Sequence, residues 1–435
     1  MSHKSMQKKI LLITYYWPPA GGPGVQRWLK FVSYLPEYDI HPVVYVPDGA
    51  AYPIKDMELI KQIPENIEVI RQPIKEPAQW SKKLFSKKTQ QLQSGVLPSK
   101  RRSWVTQMLL YIRANFFIPD ARVTWVKPSV RYLKQYCTEH TIETIITTGP
   151  PHSIHLIGKQ LQKEIGVKWL ADFRDPWTTI HYFEQMPLSS YSKKKHYQLE
   201  KQVLNSADKI TVTSRPTKEL FRKITQKPIE VITNGYDEKL LPKNKLQLDV
   251  QFTISHIGSL LSDRNPIQLW KAIADLLKRV PNFKNDLKIN LAGIISDEVL
   301  ESIQYFGLIE YIENHGYISH SKAIDLQHTS QVLLLLEMDK QSTRVILPGK
   351  LFEYMASKRP ILALGPKEGA IAELLQETNA GKYYTYSQYE AITNCLYAYY
   401  QKYISEKGLY VNSKGIEAYS RSAVSKKMAK VIWDL

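Results

Sequence analysis

Short apolar runs alternate with amphipathic stretches along most of this chain. The first run, residues 9–14, has the pattern of a buried strand, and residues 28–35 beyond it place apolar side chains on one face of a helix. The same order of strand and helix recurs up to residue 237 and again from residue 252 to residue 377. This alternation predicts an α/β architecture with parallel sheets that helices cover on both faces.

A polar stretch at residues 237–249 interrupts the alternation. It contains a proline and several lysines, a composition typical of a linker. A chain of 435 residues is long enough for two domains, each with a full core. We therefore predict a first domain over 1–240 and a second over 241–413. A last helix, within 414–435, follows after all the predicted strands.

The stretch from Ser342 to Leu364 has the most distinctive local pattern. Pro348 and Gly349 predict a tight turn that opens a short helix, and Pro360 ends this helix before a buried strand. A helix entered in this way directs free backbone N–H groups and the positive end of its dipole outward, which suits a phosphate. An ordinary loop, helix and strand of an α/β domain fits the same pattern.

Charged residues add to this candidate phosphate site. Arg344 and Lys350 supply cations, and Glu353 lies one turn into the helix, where its carboxylate could accept hydrogen bonds from sugar hydroxyls. The candidate ligand-binding residues of this stretch are Arg344, Gly349, Lys350, Leu351 and Glu353.

Two strand ends in the first domain carry further candidates, because open α/β sheets bind ligands there. The loop over 15–27 is rich in glycine, although it is not a G-x-G-x-x-G sequence. Arg27 at its end would meet an anion or face solvent. His152 lies where another strand meets the next helix, and it would orient a substrate, share a proton or simply cap the helix.

Asp172 and Asp175 flank Arg174 at a third strand end. Buried carboxylates are costly unless they are paired, so we expect one aspartate to form an ion pair with the arginine and the other to meet a substrate hydroxyl. Asp-x-x-Asp spacing also occurs in metal sites. No further ligands stand nearby in the sequence, and we predict that no metal binds here.

Composition narrows the partners and the compartment. The chain is 43% apolar, as globular proteins are, and its formal net charge is +18. Such an excess indicates a nucleic acid, an anionic membrane or phosphorylated small molecules as partner. Cys137 and Cys395 stand alone, which favours a reducing compartment, and no apolar run is long enough to span a membrane. We therefore expect a cytoplasmic protein.

The positive charge is concentrated in one segment. No acidic residue occurs between Glu76 and Asp120, and Trp80 and Trp104 are among the aromatic residues there. This composition is typical of an element at a membrane surface. A mobile loop followed by a core helix fits it equally well. The cations of the segment are Lys82, Lys83, Lys87, Lys88, Lys100, Arg101, Arg102 and Arg113.

Four motifs follow one another in the chain: Pro-Pro-Ala-Gly-Gly after the first strand, Asp-Phe-Arg-Asp-Pro-Trp, Asn-Gly-Tyr-Asp and Gly-Lys-Leu-Phe-Glu-Tyr. In this order they resemble the GT-B glycosyltransferases of family 4, in particular the bacterial branch that builds surface polysaccharides such as lipopolysaccharide and capsule. The resemblance covers nearly the whole chain. It implies two Rossmann-like domains facing a central cleft, with the last helix packing on the first domain.

The resemblance also implies an activity. A retaining, metal-independent hexosyltransferase of this kind needs no cofactor and takes a nucleoside diphosphate sugar as donor, held mainly by the second domain. A lipid-linked or oligosaccharide acceptor would bind the first domain, where His152, Asp172 and Asp175 would be catalytic. The protein would be peripheral at the inner face of the cytoplasmic membrane. Its membrane-side candidates are Trp80, Lys82, Lys83, Lys87, Lys88 and Trp104.

Single positions can be matched to the family. Glu353 matches the second glutamate of a Glu-x7-Glu motif, which contacts the donor ribose. Gly258 matches the glycine that ends the first strand of the donor domain. Arg264 matches a basic residue that contacts the diphosphate in the family. Gly21 and Gly22 match the acceptor-side loop that closes onto the donor phosphates.

The sequence departs from the family at two positions. Val345 stands where the family has its first glutamate, which contacts the transferred sugar. Ser259 stands where the first cation of the phosphate pair is expected. Arg344, Lys350 or Glu337 would have to compensate, and the motifs do not fix the donor sugar.

Other functions fit part of the sequence. The charge, with Trp80, Trp104 and Tyr111 among cations, would suit a nucleic-acid-binding protein, but no RNP, KH or helix-turn-helix motif occurs, so we predict no nucleic acid partner. A GT-B sugar-nucleotide epimerase and a transferase that has lost activity remain alternatives. A comparison of the binding of UDP-, GDP- and ADP-sugars with the binding of single-stranded oligonucleotides would separate these classes.

Overall fold

Two parallel sheets form the framework of the protein, and their central strands are runs of buried apolar residues. The computed structural model describes residues 7–76, 104–244 and 246–435. Residues 10–13 and 332–336 are buried throughout, as expected where helices cover both faces of a sheet. The predicted α/β architecture with parallel sheets is confirmed.

The chain divides into two units. Unit 1 contains the described residues up to Thr233 together with Val424–Leu435, and unit 2 comprises Asn234–Ala423. Tyr236 already belongs to unit 2, where its N–H donates a hydrogen bond to the carbonyl of Tyr419 at 3.1 Å. The chain therefore passes from one unit to the other just before the polar stretch at 237–249.

Unit 1 is built on a sheet whose described strands are all parallel. These strands are β1 (Lys8–Ile13), β2 (Ile40–Asp48), β3 (Val69–Pro73), β4 (Thr144–Gly149), β5 (Lys168–Phe173), β6 (Lys209–Val212) and β7 (Ile229–Val231). Their order is β3-β2-β1-β4-β5-β6-β7. The helices are α1 (Pro23–Tyr34), α2 (Trp104–Phe116), α3 (Val126–Glu139), α4 (Ser153–Ile165), α5 (Ser190–Ser206) and α6 (Arg215–Arg222).

Unit 2 repeats this construction. Its described strands are β8 (Phe252–Ile257), β9 (Leu287–Ala292), β10 (Ile312–Gly316), β11 (Val332–Leu336), β12 (Ile361–Gly365) and β13 (Gly381–Thr385). They are parallel and lie in the order β10-β9-β8-β11-β12-β13. The helices are α7 (Ile267–Arg279), α8 (Phe283–Asp286), α9 (Asp297–Tyr305), α10 (His320–Thr329), α11 (Gly349–Ala356), α12 (Ala370–Thr378) and α13 (Tyr389–Glu406).

Each sheet has one point at which the strand order reverses. In unit 1 it lies between β1 and β4, and in unit 2 between β8 and β11. Loops that leave neighbouring strands in opposite directions open a crevice at the carboxyl ends of those strands, and ligands of open α/β sheets bind there. These two crevices are therefore the places to look for functional side chains.

The last helix, α14 (Arg421–Trp433), starts later than the predicted range 414–435. Ile416–Tyr419 forms a separate 3-10 turn before it. Within unit 1, the ammonium of Lys8 donates to the carbonyl of Ile432 at 2.8 Å and so fixes the end of α14 to β1. None of the described helices is both long and apolar enough to cross a membrane.

Candidate functional site

The loop after β8 needs a glycine next to Lys350. Gly258 has a φ of 127°, a backbone conformation that favours glycine. A methyl group at this position would lie 3.1 Å from Nζ of Lys350. The N–H of Gly258 donates to the carbonyl of Ala292 at 2.7 Å and so holds the loop on the end of β9. Gly258, a predicted donor-binding residue, thus lies in the unit 2 crevice beside a cation.

The start of α11 faces open space. Pro348 is the N-cap residue and makes no side-chain capping bond. A methyl group on Gly349 would meet no atom within 4 Å, so a ligand can approach the first turn. Leu351 is another predicted donor-binding residue, and its side chain does not face this space. It is fully buried, and its N–H donates to the carbonyl of Pro348 at 3.0 Å, so it anchors the helix instead.

Lys350 is a half-buried cation at the end of β8. Its ammonium donates to the carbonyl of Ile257 at 3.1 Å. The pKa of Lys350 is lowered to about 7, chiefly by burial and also by the positive charge of Arg264, while Glu337 acts in the opposite direction. The lysine is therefore only partly charged near neutral pH until an anion arrives.

Arg264 lies in the same crevice and is tied to Glu337. Nη2 of Arg264 is 3.1 Å from Oε1 of Glu337, and this carboxylate also accepts a hydrogen bond from the N–H of Met338 at 2.9 Å. The hydroxyl of Tyr386 donates to the carbonyl of Glu337 at 2.7 Å. The pair brings the loops after β8 and β11 together and leaves part of the guanidinium exposed.

Glu353 is held by helix α10. One carboxylate oxygen lies 3.0 Å from Nε2 of His320, and the other accepts a hydrogen bond from Nε2 of Gln327 at 3.2 Å. Burial alone would raise the pKa of Glu353, but His320 and Gln327 hold it below its usual value. The carboxylate is therefore ionised and fixed, and lone pairs remain for a ligand hydroxyl. The sequence motifs gave no sign of His320 or Gln327, since nothing local connects α10 with α11.

Three other positions of unit 2 that the sequence analysis singled out are Arg344, Val345 and Ser259. Arg344 is half-buried and is placed by its carbonyl, which accepts a hydrogen bond from the N–H of Ala370 at 2.7 Å. Its ligand-binding role stays a prediction. Val345 is only 3% exposed, so the position of the missing family glutamate points into the protein. Ser259, at the position of the missing cation, is exposed.

In unit 1, Asp172 is fully buried and saturated with hydrogen bonds. Its donors are Nε and Nη2 of Arg27, Nε1 of Trp28, and the hydroxyls of Thr148 and Thr211, at 2.7 to 3.2 Å. Burial opposes ionisation, but Arg27 and these donors bring the pKa of Asp172 down to about 2. These contacts give Asp172 a structural role, and the catalytic role expected of it stays a prediction. Arg27 is equally buried and does not meet an outside anion.

The expected ion pair of an aspartate with Arg174 does not form. Arg174 instead donates from Nε to the carbonyl of Gly149 at 3.3 Å and from Nη2 to the carbonyl of Pro150, and it packs against Gly24 at the start of α1. Asp175 is half-buried, and burial raises its pKa although Arg174 opposes the shift. Within the described part of the chain, no hydrogen bond or ion pair of the Asp175 carboxylate is found.

His152 lies at the unit 1 crevice with both ring nitrogens unpartnered among the described residues. It stacks on Trp177 with the ring centroids 4.9 Å apart. Burial and the nearby His155 keep the pKa of His152 well below its ordinary value, so the ring is neutral. It does not cap α4, because Asp120 accepts hydrogen bonds there from the N–H and hydroxyl of Ser153 at 2.9 and 2.8 Å.

Two more features of unit 1 bear on the crevice. Gly22 is the N-cap residue of α1 with a φ of 96°, and a methyl group on it would meet no atom within 4 Å. The space beside it is therefore open. Sequence reasoning missed the buried His155 and His196, although His155 lies one turn after His152 and this spacing could have revealed it.

Helix α2 exposes a row of large apolar side chains. Trp104 and Phe116 are each 74% exposed, and Ala114 alone is buried among the residues of the helix. The alternative of a core helix is therefore wrong for α2. Its exposed apolar residues are Trp104, Met108, Leu109, Tyr111, Ile112 and Phe116. The remaining membrane-side candidates, Trp80, Lys82, Lys83, Lys87 and Lys88, lie outside the described residues.

Solved structures resemble the whole chain. HepE of Anabaena in complex with UDP superposes with a TM-score of 0.64 at 14% identity, covering 98% of this chain and 100% of that chain. The chain has the GT-B fold. Sucrose-phosphate synthase from Thermosynechococcus elongatus superposes with a TM-score of 0.61 at 15% identity. The match covers 98% of this chain and 99% of the synthase chain. WaaG, a glycosyltransferase involved in lipopolysaccharide biosynthesis, superposes with a TM-score of 0.55 at 12% identity. The match covers 97% of this chain and 99% of WaaG.

These likenesses establish the fold. No protein-family model matches the chain. Its sequence matches no curated protein either. Two parallel-sheet units in GT-B order are shared with glycosyltransferases, one of which was solved with UDP.

The Asp172 network yields a stability prediction. Asp172→Ala leaves the Arg27 guanidinium buried without its counter-charge, and we expect a loss of about 3–5 kcal/mol in unfolding free energy. The matched control is Glu219→Ala, which removes an exposed pair with Arg222 and should cost about 0–1 kcal/mol. Urea unfolding followed by tryptophan fluorescence measures both. Because the pKa of Asp172 is lowered, its contribution is present above the ordinary value of 3.8 and is lost as pH falls toward 2. Equal stability of the two variants would contradict the assignment.

Proposed function

We propose that this protein is a retaining glycosyltransferase of family 4 that moves a hexose from a nucleoside diphosphate sugar to a lipid-linked or oligosaccharide acceptor during synthesis of a cell-surface polysaccharide. The observation that carries the proposal is the cationic crevice of unit 2. Gly258, Lys350 and Arg264 meet there, at the reversal of strand order and beside the open start of α11.

The chemistry of donor cleavage suits this crevice. Departure of the nucleoside diphosphate builds negative charge on its phosphate oxygens, while the sugar gains oxocarbenium character. Preorganised cations and backbone N–H groups stabilise such a leaving group, and each well-placed donor contributes about 3 kcal/mol. Arg264, Lys350 and the first turn of α11 supply these groups, and Glu353 would bind hydroxyls of the ribose.

The acceptor is assigned to unit 1. His152 and Asp175 are two groups at its crevice with hydrogen-bonding capacity that is unused among the described residues. The neutral imidazole can accept a hydrogen bond from a sugar hydroxyl and donate another. The raised pKa of Asp175 suits a carboxylate that takes up a hydroxyl proton. We assign no carboxylate nucleophile, since a front-face reaction with retention needs none.

A membrane-bound acceptor is supported by α2. A helix with an exposed apolar row can lie in the headgroup region of a bilayer. Asn115 fixes α2 to the start of α5, because its side chain donates to the carbonyl of Pro187 and accepts from the N–H of Ser189, both at 2.8 Å. The exposed cations of α5 are Lys193, Lys194, Lys195 and Lys201. We propose peripheral binding to an anionic, inner-leaflet membrane surface.

Nucleotide binding is the first test of the donor site. Glu353→Ala should weaken binding of the matching nucleoside diphosphate sugar by about 1.5–3 kcal/mol, since a hydrogen bond to a charged group is lost. Glu373→Ala, on the exposed side of α12, is the matched control and should bind as the wild type does. Calorimetry with UDP-, GDP- and ADP-sugars measures the effect. Wild-type affinity in Glu353→Ala would show that the donor site has been misplaced, and conversion of a donor to its epimer would favour the epimerase alternative.

Metal independence is a second prediction. Because cations of the chain itself face the leaving diphosphate, we expect release of nucleoside diphosphate from the donor to continue in EDTA at the untreated rate. Adding magnesium or manganese should change this rate less than about twofold. Loss of turnover in EDTA with recovery on adding either ion would reject the proposed catalysis by Arg264 and Lys350.

Salt-dependent membrane association is a third prediction of the proposed function. Each cation near an anionic surface contributes about 1 kcal/mol, so binding should be reversible and should weaken steeply as salt rises. We expect flotation with anionic liposomes to fall when Lys82, Lys83, Lys87 and Lys88 become Gln. It should also fall when Trp104 and Phe116 become Ser. Tyr305→Ser, which removes an aromatic side chain that is 84% exposed in unit 2, is the control. Equal flotation of all variants would favour a plain solvated surface.

A further inference from the structure

The position that lacks a cation in the loop after β8 has a cation next to it from another element. Ser259 follows Gly258 directly and is exposed. The ammonium of Lys350, which belongs to α11, lies so close that a methyl group on Gly258 would be 3.1 Å from it. A positive charge therefore reaches the same end of β8 from α11, not from the loop.

The ammonium of Lys350 is placed but not neutralised. It donates one of its three hydrogens to the carbonyl of Ile257 at 3.1 Å. Among the described residues, no carboxylate lies within ion-pair distance of it. Glu337 is turned toward Arg264 and the N–H of Met338. Two hydrogens of the ammonium thus remain available for an anion.

We propose that Lys350 is the second diphosphate-binding cation of this site, in place of the cation missing at Ser259, and that it takes up a proton when the diphosphate binds. The inference rests on the proposed function, whose donor site it specifies. It goes further in assigning both the identity of the cation and a proton that accompanies binding.

The surroundings of Lys350 explain the proton. Burial and Arg264 bring its pKa to about 7 without ligand, and Glu337 opposes them only in part. His256 on β8 stays neutral because burial and Lys350 itself hold its pKa well below the ordinary value. Burial raises the pKa of Tyr354 and of Tyr386, so neither phenol carries charge.

A bound diphosphate reverses this balance. Negative charge beside the amine favours its protonated form, so the pKa of Lys350 rises when the ligand is present. Glu353, on the same helix, is ionised and held by His320 and Gln327, so it does not supply the proton. Above about pH 7 the free protein holds a neutral amine and the complex an ammonium. Binding then consumes close to one proton, and affinity falls by up to about tenfold for each further pH unit.

Calorimetry tests the proposed uptake of a proton by Lys350. Binding of UDP, GDP and ADP, and separately of inorganic pyrophosphate, is measured at pH 7.5 and 8.5 in pairs of buffers with different ionisation enthalpies. At these values the nucleoside diphosphates are already deprotonated, since the last pKa of a phosphate ester is near 6. Pyrophosphate still carries a proton there, so its uptake is taken as the difference between the wild type and Lys350→Met. We expect proton uptake that rises with pH in the wild type. In Lys350→Met we expect binding weakened about ten- to hundredfold, without uptake.

Lys350→Arg distinguishes charge from titration, because arginine does not lose its proton in this range. It should bind and show no uptake. Lys278→Met, an exposed lysine near the end of α7, should behave as the wild type.

Each outcome decides one point. Nucleotide binding with the same uptake in Lys350→Met, or without uptake in the wild type, overturns the inference and leaves the proposed function standing. Uptake that depends on Lys350 with pyrophosphate, in the absence of binding by any nucleotide, supports the inference and rejects the donor assignment. Absence of binding by every probe rejects both.

Discussion

The carboxylate of Asp172 is the constraint on which unit 1 depends. It collects hydrogen bonds from α1, β4 and β6, and Arg27 extends the network to the carbonyl of Thr233 at 2.9 Å. A buried ion is tolerated only when its partners are complete, and here the guanidinium, an indole and two hydroxyls complete them. The glycine-rich loop before α1 and the crevice beside β4 are held in place as a consequence, because α1 cannot move without exposing this pair.

Unit 2 uses charge in the opposite way. Its cations at the end of β8 are not fully matched by carboxylates, since Glu337 is shared between Arg264 and a backbone N–H. Uncompensated positive charge costs stability, and it persists where a ligand supplies the missing anion. The lowered pKa of Lys350 records that cost in the free protein. The contrast with the fully paired Asp172 supports the proposal that Lys350 binds an anionic ligand.

The fold could be predicted from the sequence because its information is local. Apolar runs such as residues 332–336, and turn residues such as Pro348 and Gly349, each specify their own element. The pairings of charges could not be predicted. Arg174 stands two residues from Asp172, yet the partner of Asp172 is Arg27, 145 residues away, since only folding brings α1 over β5. Glu353 likewise meets His320 across two helices whose contact no motif encodes.

The two crevices differ in a way that suits two different substrates. In unit 1, burial keeps His152 neutral and raises the pKa of Asp175, and both groups can exchange hydrogen bonds with sugar hydroxyls. In unit 2, Lys350 and Arg264 offer positive charge that would suit the diphosphate of the proposed donor. An uncharged hydroxyl gains little from a cationic site, and a diphosphate would not enter a neutral buried one. This electrostatic difference supports the proposal that the acceptor binds unit 1 and the leaving group binds unit 2.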